Sequence, residues 1–351
     1  MRGMAILGVL LAYTVWSLGN PPEETWSGAD RAVAQAMGIF VDGKFLSMFA
    51  FLFGVGVAQQ WRRWEAAGFG PLPLHLRRMG FLLAIGVLHA VLLRNGDILV
   101  PYALMGLALL LFRTASIKVV AITVPLLFII PYVALRLLFH GSWPARPGSV
   151  AGGYLAENLA WLRYWYETNP LLGWPHIFSL MLLGLMAGRA QLVERFARRR
   201  DLALRALAVA LPLAIGTRLA YDILLKRWTS PSPMSFIQGS VINALYEINS
   251  WVLAATYIAA LLLVLQWRSW VDYLWPLRAV GRMAFTNYLS QGLIIVPLCL
   301  VFGWFDRVTP SRGLLLAGAF ALLQLLFSTW WLRHHSAGPF ERMWRRVTYL
   351  S

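Results

Sequence analysis

The stretch from Arg77 to Arg113 reads RRMGFLLAIGVLHAVLLRNGDILVPYALMGLALLLFR. Two apolar runs, Met79–Leu93 and Ile98–Phe112, are joined by a short polar link, and arginine closes the far end of each. Continuous apolar runs of this kind are read as membrane-spanning helices. Arginines at both outer ends place those ends on the cytoplasmic side by the positive-inside rule. The stretch is therefore expected to form a transmembrane hairpin with His89 and Asp97 at its non-cytoplasmic turn. Each run is shorter than the roughly 20 residues of a straight span, so the helices should extend into flanking polar residues or tilt little.

The same punctuation recurs along all 351 residues. Further apolar runs lie at Met4–Leu18, Phe45–Gln60, Ile117–Phe139, Trp174–Ala190, Leu202–Leu225, Gly239–Leu265, Met283–Phe302 and Gly313–Leu332. With the hairpin they make ten helices. The intervening segments alternate between rich and poor in Lys and Arg when the N-terminus is placed inside. Arg62, Arg63, Arg77 and Arg78, then Arg113 and Lys118, then the run from Arg189 to Arg205, then Arg268, Arg278 and Arg282, and finally Arg333 to Arg346 all fall on the cytoplasmic side. An even number of spans returns the C-terminus to that side. The reading is an all-α, polytopic integral membrane bundle of about ten helices, both termini cytoplasmic. Residues 1–351 form a single transmembrane domain, with 333–351 a basic cytoplasmic tail.

Composition agrees. The chain is 59% apolar and 13% charged, with mean hydropathy +0.62, against about half apolar and a quarter charged in soluble domains. That composition argues against a soluble globular enzyme. The formal charge of +16 does not point to nucleic acid, because the basic residues punctuate apolar runs and form no stripe. Membrane lipids are the expected surroundings. Cys299 is the only cysteine, so intrachain disulfides and Cys-Cys redox motifs are ruled out. No Walker loop, dinucleotide fingerprint, zinc-protease motif or nucleophile elbow is present, and no metal is expected. Met1–Leu18 has the look of a signal peptide, but without a small-x-small cleavage site it is expected to stay as the first helix.

Residues 140–173 form the longest non-cytoplasmic segment, carrying Trp143, Tyr154, Trp161, Tyr164, Trp165 and Tyr166. Aromatics in that density mark an interfacial helix; an acceptor-binding surface is the alternative, since aromatic faces also stack on sugars and head groups.

Ionisable groups within spans are costly and so are candidate functional residues. His89 and Asp97 can meet at the outer face, the carboxylate holding one imidazole nitrogen while the other takes a proton, which is general-base geometry. The competing reading binds His89 to a backbone carbonyl and uses Asp97 only as a helix cap. Lys44 and Ser47 open the second helix on the same side, Lys44 being ordinarily an interfacial anchor. Glu247 lies about two turns inside its span, on one face with Asn243 and Ser250, and either pairs with an arginine or takes part in chemistry. Tyr102, Asp222 and His176 sit near outer helix ends. Asn287 and Gln291, one turn apart, suit interhelical hydrogen bonding or substrate contact. Arg282 suits a phosphate or an anchoring role. Gly54 with Gly56, and Gly184 with Gly188, suit close helix packing. No convincing internal repeat supports an inverted-repeat transporter.

These segments resemble the YeiB-like family of bacterial membrane proteins, domain of unknown function 418. The resemblance rests on Arg2-Gly3-Met4-Ala5-Ile6-Leu7-Gly8, Lys44-Phe45-Leu46-Ser47-Met48-Phe49 with Gly54-Val55-Gly56, and Gly96-Asp97-Ile98-Leu99 with Tyr102. At the other end it rests on Gly281-Arg282-Met283-Ala284-Phe285-Thr286-Asn287-Tyr288-Leu289-Ser290-Gln291 and Gly338-Pro339-Phe340-Glu341-Arg342. Family members carry an acidic residue and a few more before the first Arg-Gly, where this chain has Met1-Arg2, and an Asn near the end of the first helix, where this chain has Tyr13.

The resemblance implies kinship with a wider group of ten-helix membrane acyltransferases, and hence a location in the bacterial inner membrane. A short acyl group would pass from cytoplasmic acyl coenzyme A to a glycan or lipid acceptor outside. In that scheme His89, Asp97, Lys44 and Glu247 would be catalytic, and Ser47, Tyr102, Arg282, Asn287 and Gln291 would bind substrate. The alternatives are a proton-linked transporter or exporter of a small amphiphile and a non-catalytic membrane scaffold.

Overall fold

The computed structural model describes residues 1–16, 18–93, 97–138, 153–229 and 234–349. Arg94, Gly96, Trp143, Arg146 and the 140–152 part of the long outer segment lie outside the described residues, as does the Arg136 side chain. Among those described there is no strand, and sixteen α-helices run in chain order. They are α1 (Arg2–Trp16), α2 (Gly28–Phe40), α3 (Lys44–Ala66), α4 (Pro71–Leu92), α5 (Leu99–Ala108), α6 (Ile117–Leu138), α7 (Gly153–Leu172) and α8 (Trp174–Arg189). The second half comprises α9 (Leu192–Arg198), α10 (Arg200–Trp228), α11 (Phe236–Val264), α12 (Arg268–Tyr273), α13 (Trp275–Arg282), α14 (Ala284–Phe302), α15 (Pro310–His334) and α16 (Pro339–Tyr349).

Each of the ten apolar runs falls on a helix. Seven stretches of the described residues are helical, long and apolar enough to cross a membrane: Gly28–Ala66, Pro71–Leu92, Ile117–Ala134, Arg200–Trp228, Phe236–Val264, Ala284–Phe302 and Pro310–His334. Trp174–Arg189 joins them only together with Leu192–Arg198 across a 62° bend, while Arg2–Trp16 and Leu99–Phe112 are shorter apolar helices. The outward surfaces fit a lipid solvent. Val209, Leu213, Ile215, Leu219 and Ile223 of α10 are all at least half exposed, a density of uncovered aliphatic side chains that water does not tolerate on a monomer but hydrocarbon does.

The chain divides into two compact units, residues 1–49 with 267–351 and residues 50–266. In the first, α1 packs on α13, α14 and α15. The Arg2-Gly3 and Gly281-Arg282 motifs meet at the α1–α13 crossing: a Cβ on Gly3 would overlap the Leu277 carbonyl oxygen, and one on Gly281 would lie 2.7 Å from the Gly3 nitrogen. Asn20 donates to the carbonyls of Val15 (3.0 Å) and Val308 (2.8 Å), fixing the exit of α1 beside the entry to α15. Asp30 closes a capping box with Ser27 on α2 and accepts from the Ser311 backbone at 3.1 Å on α15, so one carboxylate serves two helix N-termini.

The α14–α15 contact is held by amides. Asn287 donates to Ser328 Oγ at 3.0 Å, Gln324 donates to the Asn287 carbonyl at 2.8 Å, and Gln291 donates to Gln324 Oε1 at 3.4 Å. Glu341 of α16 accepts from the backbone N–H groups of Phe285 (2.8 Å) and Thr286 (3.1 Å) and from the Thr286 hydroxyl (2.5 Å). It supplies the anion that the start of α14 lacks in its own sequence.

In the second unit, α10 and α11 pair along their length, and α4 pairs with α5. Glycine sets the α3–α8 distance. A Cβ on Gly54 would overlap the Met181 carbonyl, and one on Gly184 the Phe51 carbonyl, while at Gly188 it would lie 2.7 Å from Ala58 Cβ. His75 is fully buried between α3 and α5, accepting from Trp61 Nε1 at 3.2 Å and bonding the Gly106 carbonyl at 2.8 Å. Both ring nitrogens are satisfied, so this histidine is a packing element.

Candidate functional site

The α4–α5 hairpin brings His89 and Asp97 together. His89 occupies the last turn of α4, and its Nδ1 lies 3.1 Å from Asp97 Oδ1; the two side chains are 8% and 0% exposed. The second oxygen, Oδ2, accepts the Val100 backbone N–H at 2.9 Å in the first turn of α5. Asp97 therefore caps α5 and faces the imidazole at the same time, so its two sequence readings do not exclude each other. Its attachment to α5 fixes the oxygen that faces the imidazole, and that contact directs Nδ1 toward Asp97 and turns Nε2 the other way. A carboxylate held on a helix start cannot rotate away, which is the requirement for orienting a base.

Helix α7, drawn from the aromatic-rich segment, braces this corner. Asn158 donates to the carbonyls of Ala90 (3.1 Å) and Val91 (2.8 Å), and the Tyr154 hydroxyl to that of Leu93 (2.6 Å). These are the carbonyls that the end of α4 leaves without intrahelical partners. About two turns along α7 from Asn158, the Tyr166 hydroxyl is buried with no hydrogen-bond partner among the described residues. Burial, with the Asp97 charge adding to it, pushes its phenol well above the ordinary range, so it stays a neutral O–H donor.

Glu247 meets a different imidazole. Its Oε1 lies 3.5 Å from Nδ1 of His176, at the start of α8. His176 is 3% exposed. Tyr102 is buried with its ring edge-to-face on Phe53 at 5.3 Å.

Lys44 and Ser47 belong to the first unit. Lys44 is fully buried and donates from Nζ to the Gly38 carbonyl at 2.7 Å. Its charge thus sits at the C-terminal turn of α2, where the helix dipole favours a cation. Ser47 is buried too. Arg282 is exposed and donates to the Ser336 carbonyl at 2.8 Å, while Asn287 and Gln291 form the α14–α15 ladder described above.

Sequence reasoning missed Asn158 and Tyr154 as supports of α4, Tyr166 as a neighbour of Asp97, and Glu341 as the cap of α14. The aromatic density of 153–173 was the only signal for the first three.

An all-helical chain with seven such apolar helices and a buried imidazole–carboxylate pair at a helical corner is a multi-pass membrane protein. Residues 187–351 match the family described as Protein of unknown function (DUF418). The chain is 29% identical to the uncharacterized protein YxaH of Bacillus subtilis, over 100% of this chain and 93% of that protein. It is 28% identical to the uncharacterized protein YeiB of Escherichia coli, over 99% of this chain and 94% of that protein. An uncharacterized 39.9 kDa protein from the amylase 3' region of Bacillus acidopullulyticus is also 28% identical, over 99% of this chain and 92% of its own length. No solved structure is significantly similar to the chain.

Proposed function

We propose that the protein is an integral acyltransferase of the bacterial cytoplasmic membrane, with ten spans and both termini inside. A short acyl group passes from acyl coenzyme A on the cytoplasmic side to a hydroxyl or amine of a glycan or lipid on the outer side. The observation that carries the reading is the 3.1 Å contact between His89 Nδ1 and an Asp97 carboxylate itself anchored to α5.

In this reading His89 Nε2 takes the proton from the acceptor as its oxygen or nitrogen bonds to the acyl carbon. The carbon–sulfur bond breaks and the proton passes on to the departing thiolate, so charge and atoms balance. Asp97 fixes the ring and stabilises the imidazolium. Alternatively Nε2 carries the acyl group between the two faces. The neutral Tyr166 hydroxyl supplies a donor to the oxyanion. The donor's phosphates call for exposed cations on the cytoplasmic side. Arg282 fits that requirement, since its bond to the Ser336 carbonyl engages one nitrogen of an exposed guanidinium fork. Support for the ten-span topology comes from the alternation of basic segments and from the helical state of all ten apolar runs.

The test is transfer of radiolabelled acetyl from acetyl coenzyme A in membrane vesicles containing the protein. Label entering the lipid or glycan fraction, above vesicles lacking the protein, is the expected result. Its absence with acetyl and other short acyl donors contradicts the reading.

A further inference from the structure

Glu247 raises a problem that acyl transfer does not absorb. It sits within α11, a helix long and apolar enough to span the membrane, where a carboxylate is costly unless something compensates it. Among the described residues no lysine or arginine makes an ion pair with it, and its contact is the 3.5 Å approach to His176. That approach falls short of a hydrogen bond, and neither ring nitrogen of the nearly sealed His176 has a hydrogen-bond partner among the described residues. The buried Trp251 Nε1, one turn along α11 from Glu247, has none either.

The surroundings are aromatic. The Phe128 ring lies 4.5 Å from His176 and 4.7 Å, edge-on, from Trp251, and Tyr132 lies 6.2 Å from His176. Asn243 donates to the Tyr132 hydroxyl at 3.1 Å and so holds that ring toward the cluster. Glu247 keeps 22% of its side chain exposed, so its carboxylate can be reached from outside the cluster.

A carboxylate among aromatic faces is the chemistry that recognises an organic cation. Unpartnered donors beside it call for an oxygen acceptor on the same ligand. Residues one turn apart on a helix have Cβ atoms about 5–6 Å apart, so an oxygen two carbons from the nitrogen reaches the indole N–H while the nitrogen stays at the carboxylate. We propose that Phe128, Tyr132, His176, Asn243, Glu247 and Trp251 form a binding site for a small ammonium with an oxygen two carbons away, the chemistry of choline and ethanolamine. The site is independent of the acyl-transfer reading.

Calorimetric titration of the detergent-purified full chain tests this with three probes: choline, tetramethylammonium, and the carbon isostere in which a tert-butyl group replaces the trimethylammonium. Choline is expected to saturate a single site and to bind at least about tenfold more tightly than the isostere, the scale of a partly desolvated cation–π and carboxylate contact. Glu247→Gln, nearly isosteric, should lose choline binding by a similar factor. Trp251→Phe keeps a ring but removes the donor, so it should weaken choline several-fold and leave tetramethylammonium unchanged. Equal binding of the isostere, or choline affinity untouched by Glu247→Gln, overturns the proposal. If Glu247→Gln fails to run as a single species on gel filtration, the Trp251→Phe discrimination decides: equal weakening of choline and tetramethylammonium overturns it. Nanodiscs then separate the sources. Choline displaced in phosphatidylethanolamine discs but not in phosphatidylglycerol discs supports a lipid head group as ligand, and equal binding in both supports a free amine.

Discussion

Replacing Glu341 with alanine removes an anion from the start of α14 and leaves three donors behind. The Phe285 and Thr286 N–H groups, at 2.8 and 3.1 Å, and the Thr286 hydroxyl, at 2.5 Å, all point at this one carboxylate. A hydrogen bond to a charged group contributes about 1.5–3 kcal/mol, and the charge–dipole interaction adds about 0.3–1 kcal/mol. The three bonds share one side chain and water can replace part of them, so the expected loss is about 3 kcal/mol, not the full sum. At an unfolding entropy of about 2.1 cal/mol/K per residue, a chain of 351 residues shifts by about 1.4 °C per kcal/mol, so the midpoint of thermal unfolding should fall by about 4 °C. Glu341→Gln retains one acceptor oxygen but turns an N–H₂ toward other donors, and should fall between the two. The assay is fluorescence-detected gel filtration of heated, detergent-solubilised protein. An alanine variant melting within about 1 °C of the parent would refute the capping argument, since it would mean that the bonds carry less than one neutral hydrogen bond.

Further outcomes follow from the packing. Gly184→Val should abolish a monodisperse species, because any Cβ there overlaps the Phe51 carbonyl and also lies 3.1 Å from the Val55 nitrogen. Gly216→Ala on α10, where a Cβ meets nothing within 4 Å, should be neutral or raise stability by about 0.4–1 kcal/mol. A double-mutant cycle of Asn287→Ala and Ser328→Ala, read in the same melting assay, should show a coupling of about 0.6–1.7 kcal/mol, the range of interhelical hydrogen bonds in membranes. A coupling near zero would show that the 3.0 Å bond contributes nothing.

The membrane helices were legible because hydropathy acts locally. Seven stretches of the described residues are helical, long and apolar enough to cross a membrane, where each satisfies its own backbone bonds. The crossings at Gly54 and Gly184 were also readable, since small residues at helical spacing have few other uses in such runs. What escaped was set by groups far apart in sequence. Glu247 and His176, 71 residues apart by their numbers, find each other only through the arrangement of α8 and α11. Asn158 reaches the end of α4 across 67 and 68 positions, and Glu341 reaches α14 across 55 and 56. A polar side chain on a polar helix carries no sign of which distant carbonyl or N–H it will satisfy. Asp97 was the intermediate case. Its spacing from His89 permitted a meeting across a short turn, but whether it capped α5 or held the imidazole depended on two oxygens that the sequence treats as equivalent.

The central claim is that His89, aligned by Asp97, handles the proton or the acyl group in transfer from coenzyme A. It is tested most directly by thiol release from acetyl coenzyme A, with purified parent and His89→Ala compared at equal amounts of monodisperse protein. The account predicts acceptor-dependent release by the parent and a loss of about 10²–10⁴-fold in the variant, the contribution of a positioned general base. Release at the parent rate by a folded His89→Ala protein would contradict it.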